Sequence, residues 1–147
     1  MRERGRKRHR ARVEKQSQDG SIHDVNNTYT WDQAFSVHVA GLNGTSFAGH
    51  SDWRLPNVRE LDSIVNYENF NPAVSPAFNN NCTSGCTVLT CSCTALRVDV
   101  PSSFLYWSST TDAGYPSEAW LVIFHGGGVT LNGKGSSLYV RAVRGGS

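Results

Sequence analysis

Four cysteines lie within twelve positions near the middle of the chain, at Cys82, Cys86, Cys91 and Cys93. The residues around them are mostly Asn, Ser, Thr and Gly, which bury little apolar surface. Structural zinc sites usually pair their cysteines across gaps of about two residues, whereas the gaps here are three, four and one. We therefore expect two disulfides that staple a surface loop in an oxidising compartment, and no metal site. The sequence leaves the pairing open.

Five polar or aromatic residues on predicted loops of the C-terminal part are candidates for ligand binding: Tyr115, Glu118, His125, Asn132 and Lys134. An exposed aromatic ring stacks on the face of a sugar, while amide and charged groups hydrogen-bond its hydroxyls or sulfates. The alternative for each of them is an ordinary solvent-facing loop residue.

No constellation of residues for catalysis is recognisable. The sequence contains no GxSxG, HExxH, Walker or GxGxxG motif, and its five histidines are scattered singly at positions 9, 23, 38, 50 and 125. We predict no catalytic residue, no metal and no cofactor, and hence a binding module rather than an enzyme. His38 lies on the inner stripe of a predicted helix and is expected to be a core residue.

Two helices are predicted in the first half of the chain. Thr30 and Gln33 have the spacing of a capping box, and apolar residues follow at helical intervals as far as the glycines at 41 and 44. Asn57 and Glu60 have the same spacing after Pro56, ahead of a second apolar stripe that reaches position 65.

From position 104 onward the sequence predicts short strands at FLYWSSTT, EAWLVIF, GVTL and SSLYVRAVR. The glycine-containing runs at 126 to 128 and 132 to 135 are the expected hairpin turns. Residues 66 to 101 show no sustained periodicity and are predicted to form a loop. This order predicts an α+β domain, in which two helices precede a small antiparallel sheet with long loops.

Length and charge suggest where the domain begins. At 147 residues with 38% hydrophobic residues, the chain has room for one modest core. Eight basic and two acidic residues fall within positions 1 to 15, so we expect a disordered basic leader there. A single domain is expected at 16–147, with a Cys-rich loop at 79–95. The leader lacks interleaved aromatic residues, so we do not expect nucleic-acid binding, and no apolar run is long enough to span a membrane.

Several segments together resemble one known family. GHSDWRLPNVREL at 49 to 61, YWSSTT at 106 to 111, the strand beginning with AW at 119 and the terminal YVRAVRGGS are similar to the C-terminal domain family of Legionella collagen-like protein. That family is a bacterial domain of unknown function. The WRLP turn also resembles the RLPTEAEWE stretch of formylglycine-generating enzymes, which share the C-type-lectin-like fold. The resemblance, from about residue 25 to the end, implies this fold.

The resemblance also implies a function. Members of the superfamily present variable loops on a rigid scaffold and bind glycans, proteins or phage receptors. The expected ligand is therefore a glycan or sulfated polysaccharide, or alternatively a surface protein, met outside the cell or on its envelope. A homo-oligomer is left open, and formylglycine-generating-type oxidase activity is a weaker alternative. The motif residues expected to be structural are Trp53, Arg54, Pro56, Glu60, Trp107, Trp120 and Arg141.

The chain departs from the family pattern at its beginning. Relatives carry a strand with a GLMW-like sequence just before the EKQS-like stretch, where this chain has MRERGRKRHRARV. Because the lectin-like fold pairs its first and last strands, we expect YVRAVR to lack its partner. The expected origin of the leader is a truncation or a shifted start.

Overall fold

The computed structural model of the protein describes residues 12–24, 26–69, 73–74, 85 and 105–145. Its helical elements are α1 at Trp31–Gln33, a π-helical segment at Ala34–Val39, α2 at Ala40–Gly44, a 3-10 turn at Phe47–Gly49 and α3 at Val58–Asp62. Its strands are β1 at Arg12–Val13, β2 at Thr28–Tyr29, β3 at Leu105–Thr111, β4 at Glu118–Ile123, β5 at Gly128–Gly133, β6 at Leu138–Tyr139 and β7 at Val143–Arg144. The described part of the chain is an α+β domain.

The first predicted helix is confirmed, since α1, the π-helical segment and α2 form one continuous helix from 31 to 44. The Thr30 hydroxyl accepts a hydrogen bond from the Gln33 amide at 3.4 Å, and the Gln33 side chain accepts one from the Thr30 amide at 3.0 Å. This is the predicted capping box. Ala34, His38 and Leu42 are buried along the inner face of the helix.

The second predicted helix is shorter than its apolar stripe suggests. Asn57 Oδ1 accepts a hydrogen bond from the Glu60 amide at 2.9 Å, and the Glu60 carboxylate accepts one from the Asn57 amide at 3.1 Å, so α3 begins with the expected capping box. The helix ends at Asp62 because the chain then turns and Val65 pairs with Val74 in an isolated β-bridge.

Five strands form one sheet in the order β2-β6-β3-β4-β5. β4 pairs antiparallel with β3 on one side and with β5 on the other. β6 runs parallel to β3, with Tyr106 opposite Tyr139, because the chain crosses from β5 to the far side of β3. The sheet is therefore mixed and not wholly antiparallel as predicted. Residues 132–135 do not close a hairpin, contrary to the prediction, because β5 and β6 are not neighbours.

The core lies on the two faces of this sheet. Its fully buried residues include Trp107 and Leu121, which pack with Ala34 of the long helix. A second cluster under α3 joins Leu61 to Tyr106 and its neighbours. Aromatic and aliphatic residues on alternating positions of β3 and β4 thus hold both helical layers to one sheet.

The predicted strand SSLYVRAVR is divided into β6 and β7, which belong to different sheets. β7 pairs antiparallel with β1, with Arg12 opposite Arg144 and Val13 opposite Val143. The expectation that YVRAVR lacks a partner is therefore wrong. The chain needs only the short RV segment to supply that strand, because the pairing spans two residues.

The start of the folded domain also differs from the predicted boundary after residue 15. Glu14 is fully buried, and its amide donates a hydrogen bond to the Ala142 carbonyl at 2.9 Å. Residues 12 to 15 therefore belong to the domain. The high density of basic residues concealed this, since a charge run carries no sign of a strand that is only two residues long.

The WRLP turn fastens the C-terminal strand to α3. Trp53 is buried, and its Nε1 donates a hydrogen bond to a main-chain carbonyl at 3.0 Å. The Arg54 guanidinium donates to both carboxylate oxygens of Glu60, at 2.6 and 2.5 Å, and to the Gly145 carbonyl at 2.7 Å. Pro56 is fully buried. These contacts give the four motif residues structural roles.

The other three motif residues also lie in the scaffold. Trp107 is fully buried, and its Nε1 donates a hydrogen bond to the Tyr29 carbonyl at 3.0 Å. Arg141 is buried, and its Nε donates to the Glu14 carbonyl at 3.4 Å. Trp120 is half-buried on β4. Trp107 therefore joins β3 to β2 within the sheet, and Arg141 joins the segment before β7 to the segment that follows β1.

Candidate functional site

One end of the β4–β5 hairpin carries four of the five predicted ligand-binding residues. Glu118 begins β4 opposite Gly133, and Asn132 lies opposite Ala119 at the end of β5. Lys134 follows β5, and Tyr115 lies on the turn that leads into β4. These four residues and Trp31 form what we call the Trp31–Lys134 surface.

Main-chain hydrogen bonds fix this surface to the long helix. The Lys134 amide donates to the Ser117 carbonyl at 3.0 Å, and the Lys134 carbonyl accepts from the Trp31 amide at 3.0 Å. The Glu118 amide donates to the Tyr115 carbonyl at 2.9 Å. The turn before β4, the end of β5 and the start of α1 are therefore held together.

Contacts on several sides fix the position of the Trp31 ring. Its Nε1 donates a hydrogen bond to the Ser108 carbonyl at 3.0 Å, and its ring meets Phe35 edge to face at 4.7 Å. The ammonium of Lys134 lies 4.0 Å from the centre of the ring. A cation over an indole face is stabilised by about 0.5–1 kcal/mol at an exposed site. The Lys134 ammonium therefore has a preferred position over the ring, and an anion that attracts it more strongly than the ring does would displace it.

The remaining groups offer hydrogen bonds and a second ring. Tyr115 is 68% exposed, so most of its ring is accessible to a ligand. The amide of Asn132 is oriented by Ser136, whose hydroxyl donates to Asn132 Oδ1 at 2.9 Å. An ammonium, an amide, the Glu118 carboxylate and two aromatic rings on one surface suit recognition of a polar ligand with flat apolar faces.

His125, the fifth predicted ligand-binding residue, does not lie on this surface. It lies on the turn between β4 and β5, where the Gly127 amide donates to the Ile123 carbonyl at 2.8 Å. A turn that closes a hairpin is at the opposite end of the hairpin from Glu118 and Lys134, because each of the two strands spans six residues.

Trp31 falls within the apolar stripe predicted around the first capping box, and the structure adds it to the surface. The available signal was its position directly after the capping residue Thr30. The first residue of a helix lies at an end of the element, where a ring can be half-buried and still reach a neighbouring loop. Helical periodicity alone does not distinguish this case from full burial.

A second group that the sequence did not reveal surrounds Glu14. Its carboxylate lies 2.8 Å from His38 Nε2 and 3.5 Å from His23 Nδ1. His38 Nδ1 lies 3.3 Å from the Tyr29 hydroxyl. His38 is a core residue, as expected, with both ring nitrogens close to polar partners. Glu14 was assigned to the leader, so no sequence pattern linked it to the histidines.

The predicted cysteine staple lies outside the described residues. Within the described ranges no group of three or more His, Cys, Asp or Glu side chains is arranged to hold a metal ion. In the same part of the chain no helix is both long and apolar enough to cross a membrane.

Comparison with known proteins identifies one family. The family model for the Lcl C-terminal domain matches residues 9–144, which include all seven strands and every helical element described above. No curated protein matches the chain. The match begins ahead of β1, in agreement with the pairing of β1 with β7. The chain therefore belongs to the Lcl C-terminal domain family.

Proposed function

We propose that this chain is an extracytoplasmic ligand-binding module that adheres to glycans, and to sulfated polysaccharides above all. The observation that carries the proposal is the Lys134 ammonium lying over the Trp31 ring, at the end of the β4–β5 hairpin that also carries the exposed Tyr115. Between positions 105 and 140, Lys134 is the only Lys or Arg in the sequence. A single cation at an aromatic surface suits a ligand that combines sugar faces with scattered negative charges.

The contact between Lys134 and Trp31 suggests how such a ligand binds. A sulfate group attracts the ammonium more strongly than an indole face does, because a charge-assisted hydrogen bond is stronger than a cation–π contact. Movement of Lys134 toward the sulfate uncovers the ring that it covers in the free protein. The uncovered face of Trp31 then stacks on the adjoining sugar, so charge and shape are recognised in one step.

A C-type-lectin-like fold belongs to the same proposal. The pairing of the first and last described strands supports it, because that fold brings its terminal strands together. A scaffold of this kind presents loops for recognition, and here the loop before β4 and the end of β5 are fixed to the long helix by main-chain hydrogen bonds.

The test compares dextran sulfate with uncharged dextran, which share a sugar backbone, as immobilised ligands for the full chain. We expect binding to the sulfated polymer alone, weakened by added salt. Lys134→Ala should weaken binding by roughly five-fold, which corresponds to about 1 kcal/mol. Lys15→Ala removes an exposed lysine near β1 and is the matched control, since it should leave binding unchanged.

Two results would redirect the proposal. If no glycan binds while a surface protein binds tightly, the chain is a protein-interaction or adhesin module that uses the same exposed residues. Equal loss of binding in Lys134→Ala and Lys15→Ala would mean that the polymer senses net charge and no defined surface.

A further inference from the structure

A buried carboxylate links the first strand to the last. Glu14 follows β1 directly, and its Oε1 accepts a hydrogen bond from the Ala142 amide at 2.9 Å. The Glu14 amide in turn donates to the Ala142 carbonyl at 2.9 Å. These two hydrogen bonds extend the pairing of β1 with β7 by one residue. One of them is accepted by the Glu14 carboxylate, which titrates.

The groups that face Glu14 are cationic or neutral. His38, from the π-helical segment, and His23, from the loop before β2, approach the two carboxylate oxygens at 2.8 and 3.5 Å. Tyr29, from β2, contacts His38, and Arg141, from the segment before β7, donates to the Glu14 carbonyl at 3.4 Å. This set holds one carboxylate against a guanidinium and two imidazoles.

Acid removes the negative charge of this set. Burial opposes ionisation of Glu14, but the charge of His38, the nearby His23 and the hydrogen bonds of His38 and Ala142 outweigh burial, so the pKa of the carboxyl lies below its ordinary value of 4.5. Burial likewise lowers the pKa of Arg141, against the influence of Tyr106 and Glu14. Once Glu14 is neutral, the buried Arg141 guanidinium and the two imidazoles no longer face a negative charge on this carboxyl group.

Loss of the Glu14 charge should affect the pairing of β1 with β7 more than it affects the five-stranded sheet. β1 and β7 share two residue pairs, whereas β4 and β5 share six. The main cluster on that sheet consists of apolar side chains such as Trp107 and Leu121, which do not titrate in acid. Local opening requires the least free energy where few pairs are made, so the terminal pair should open first.

We propose that Glu14, held between His38 and His23, is an acid-sensitive latch whose neutralisation separates β1 from β7 while the five-stranded sheet stays folded. The latch uses none of the residues of the Trp31–Lys134 surface. Its failure in the experiment below would leave the proposed glycan binding untouched, and failure of glycan binding would leave the latch untouched.

The experiment is a pH titration of the full chain by NMR, from about pH 7 to about pH 3. Cross-strand contacts between Val13 and Val143 report on the latch, and contacts between Trp120 and Leu131 report on the main sheet. We expect the first set to be lost at a higher pH than the second. Glu14→Gln should abolish the separate first transition, because the side chain no longer titrates.

One further variant tests whether His38 sets the pH of the first transition, and another serves as its control. His38→Gln should move the first transition to higher pH by about 0.5–1 unit, since the carboxylate loses a cationic partner. Glu68→Gln alters an exposed glutamate and is the matched control, which should leave the transition in place.

Loss of both sets of contacts at one pH in the unsubstituted chain would overturn the latch. An unchanged first transition in Glu14→Gln would do the same. If Glu14→Gln does not fold, His38→Gln decides, because an unmoved transition in that variant excludes coupling between the two side chains.

Discussion

The Lys134 ammonium covers the face of the Trp31 ring at 4.0 Å from its centre, and the two residues are also joined by a main-chain hydrogen bond of 3.0 Å. The main-chain bond fixes the positions of the two residues, while the side-chain contact is weak and exchangeable. The pair therefore combines a fixed main chain with a movable charge, and the proposed ligand binding depends on this combination.

Replacing Lys134 by Met tests this separation. Met keeps an apolar stem over the ring and removes the charge, so the free energy of unfolding should change by no more than about 1 kcal/mol. Urea unfolding followed by tryptophan fluorescence measures it. A loss above about 2 kcal/mol would show that Lys134 is a structural residue and would remove the basis for the proposed ligand surface.

The ion pair of Arg54 with Glu60 should contribute only modestly to the free energy of unfolding. Its geometry is bidentate, at 2.6 and 2.5 Å, but the two side chains are 36% and 20% exposed, so solvent screens their attraction. A double-mutant cycle with alanine at both positions should give a coupling of about 1 kcal/mol, smaller at high salt. A salt-independent coupling would indicate that packing, and not charge, joins the two residues.

Substitution of Gly127 should destabilise the protein, whereas substitution of Gly128 should not. Its φ is +88°, and a Cβ at this position would lie 2.6 Å from Val65 Cγ1 and 2.9 Å from Tyr67 Cε1. Gly127→Ala should lower the unfolding free energy by about 1–3 kcal/mol. Gly128→Ala is the control, because its Cβ would meet only Ile123 Cδ1 at 3.9 Å. Equal stability of both variants in thermal unfolding would contradict the turn geometry.

Two deletions distinguish the basic segment from the latch. Removal of residues 1 to 11 should leave thermal stability nearly unchanged, since β1 and Glu14 remain. Removal of residues 1 to 15 takes away Glu14 and leaves His38 and the Ala142 amide without their partner, which should cost about 3–5 kcal/mol. Similar melting temperatures for the two deletions would show that β1 contributes nothing. We expect the chain without residues 1 to 11 to bind no nucleic acid.

The cysteines lie outside the described residues, and their pairing stays a prediction. We expect mass spectrometry of protein from an oxidising compartment to find Cys82, Cys86, Cys91 and Cys93 paired as two disulfides. Closing a loop of fifteen residues contributes about 3 kcal/mol in the chain-entropy model, and the loops here are shorter, so reduction should lower global stability only modestly. Four free thiols with one bound zinc would contradict both the disulfides and the extracytoplasmic assignment.

The capping boxes of Thr30 with Gln33 and of Asn57 with Glu60 are present as predicted. The strands at 105 to 111 and 118 to 123 lie within their predicted segments, and the strand at 128 to 133 extends two residues beyond its predicted segment GVTL. Each of these features depends on residues within a few positions of one another, so local spacing and propensity were enough to find them.

Where the sequence failed, the deciding contact joined distant residues. The strand pairing of Val13 with Val143, the parallel placement of β6 beside β3 and the burial of Glu14 against His38 each link segments far apart in the chain. The same holds for the Trp31 ring under Lys134. The sequence by itself determined the helix starts, the β4–β5 hairpin and the family resemblance, because those follow from short-range patterns. Only the tertiary structure decided which charges are buried and which aromatic ring meets the lysine, because burial depends on the packing of whole elements and leaves no periodic trace in a basic or glycine-rich segment.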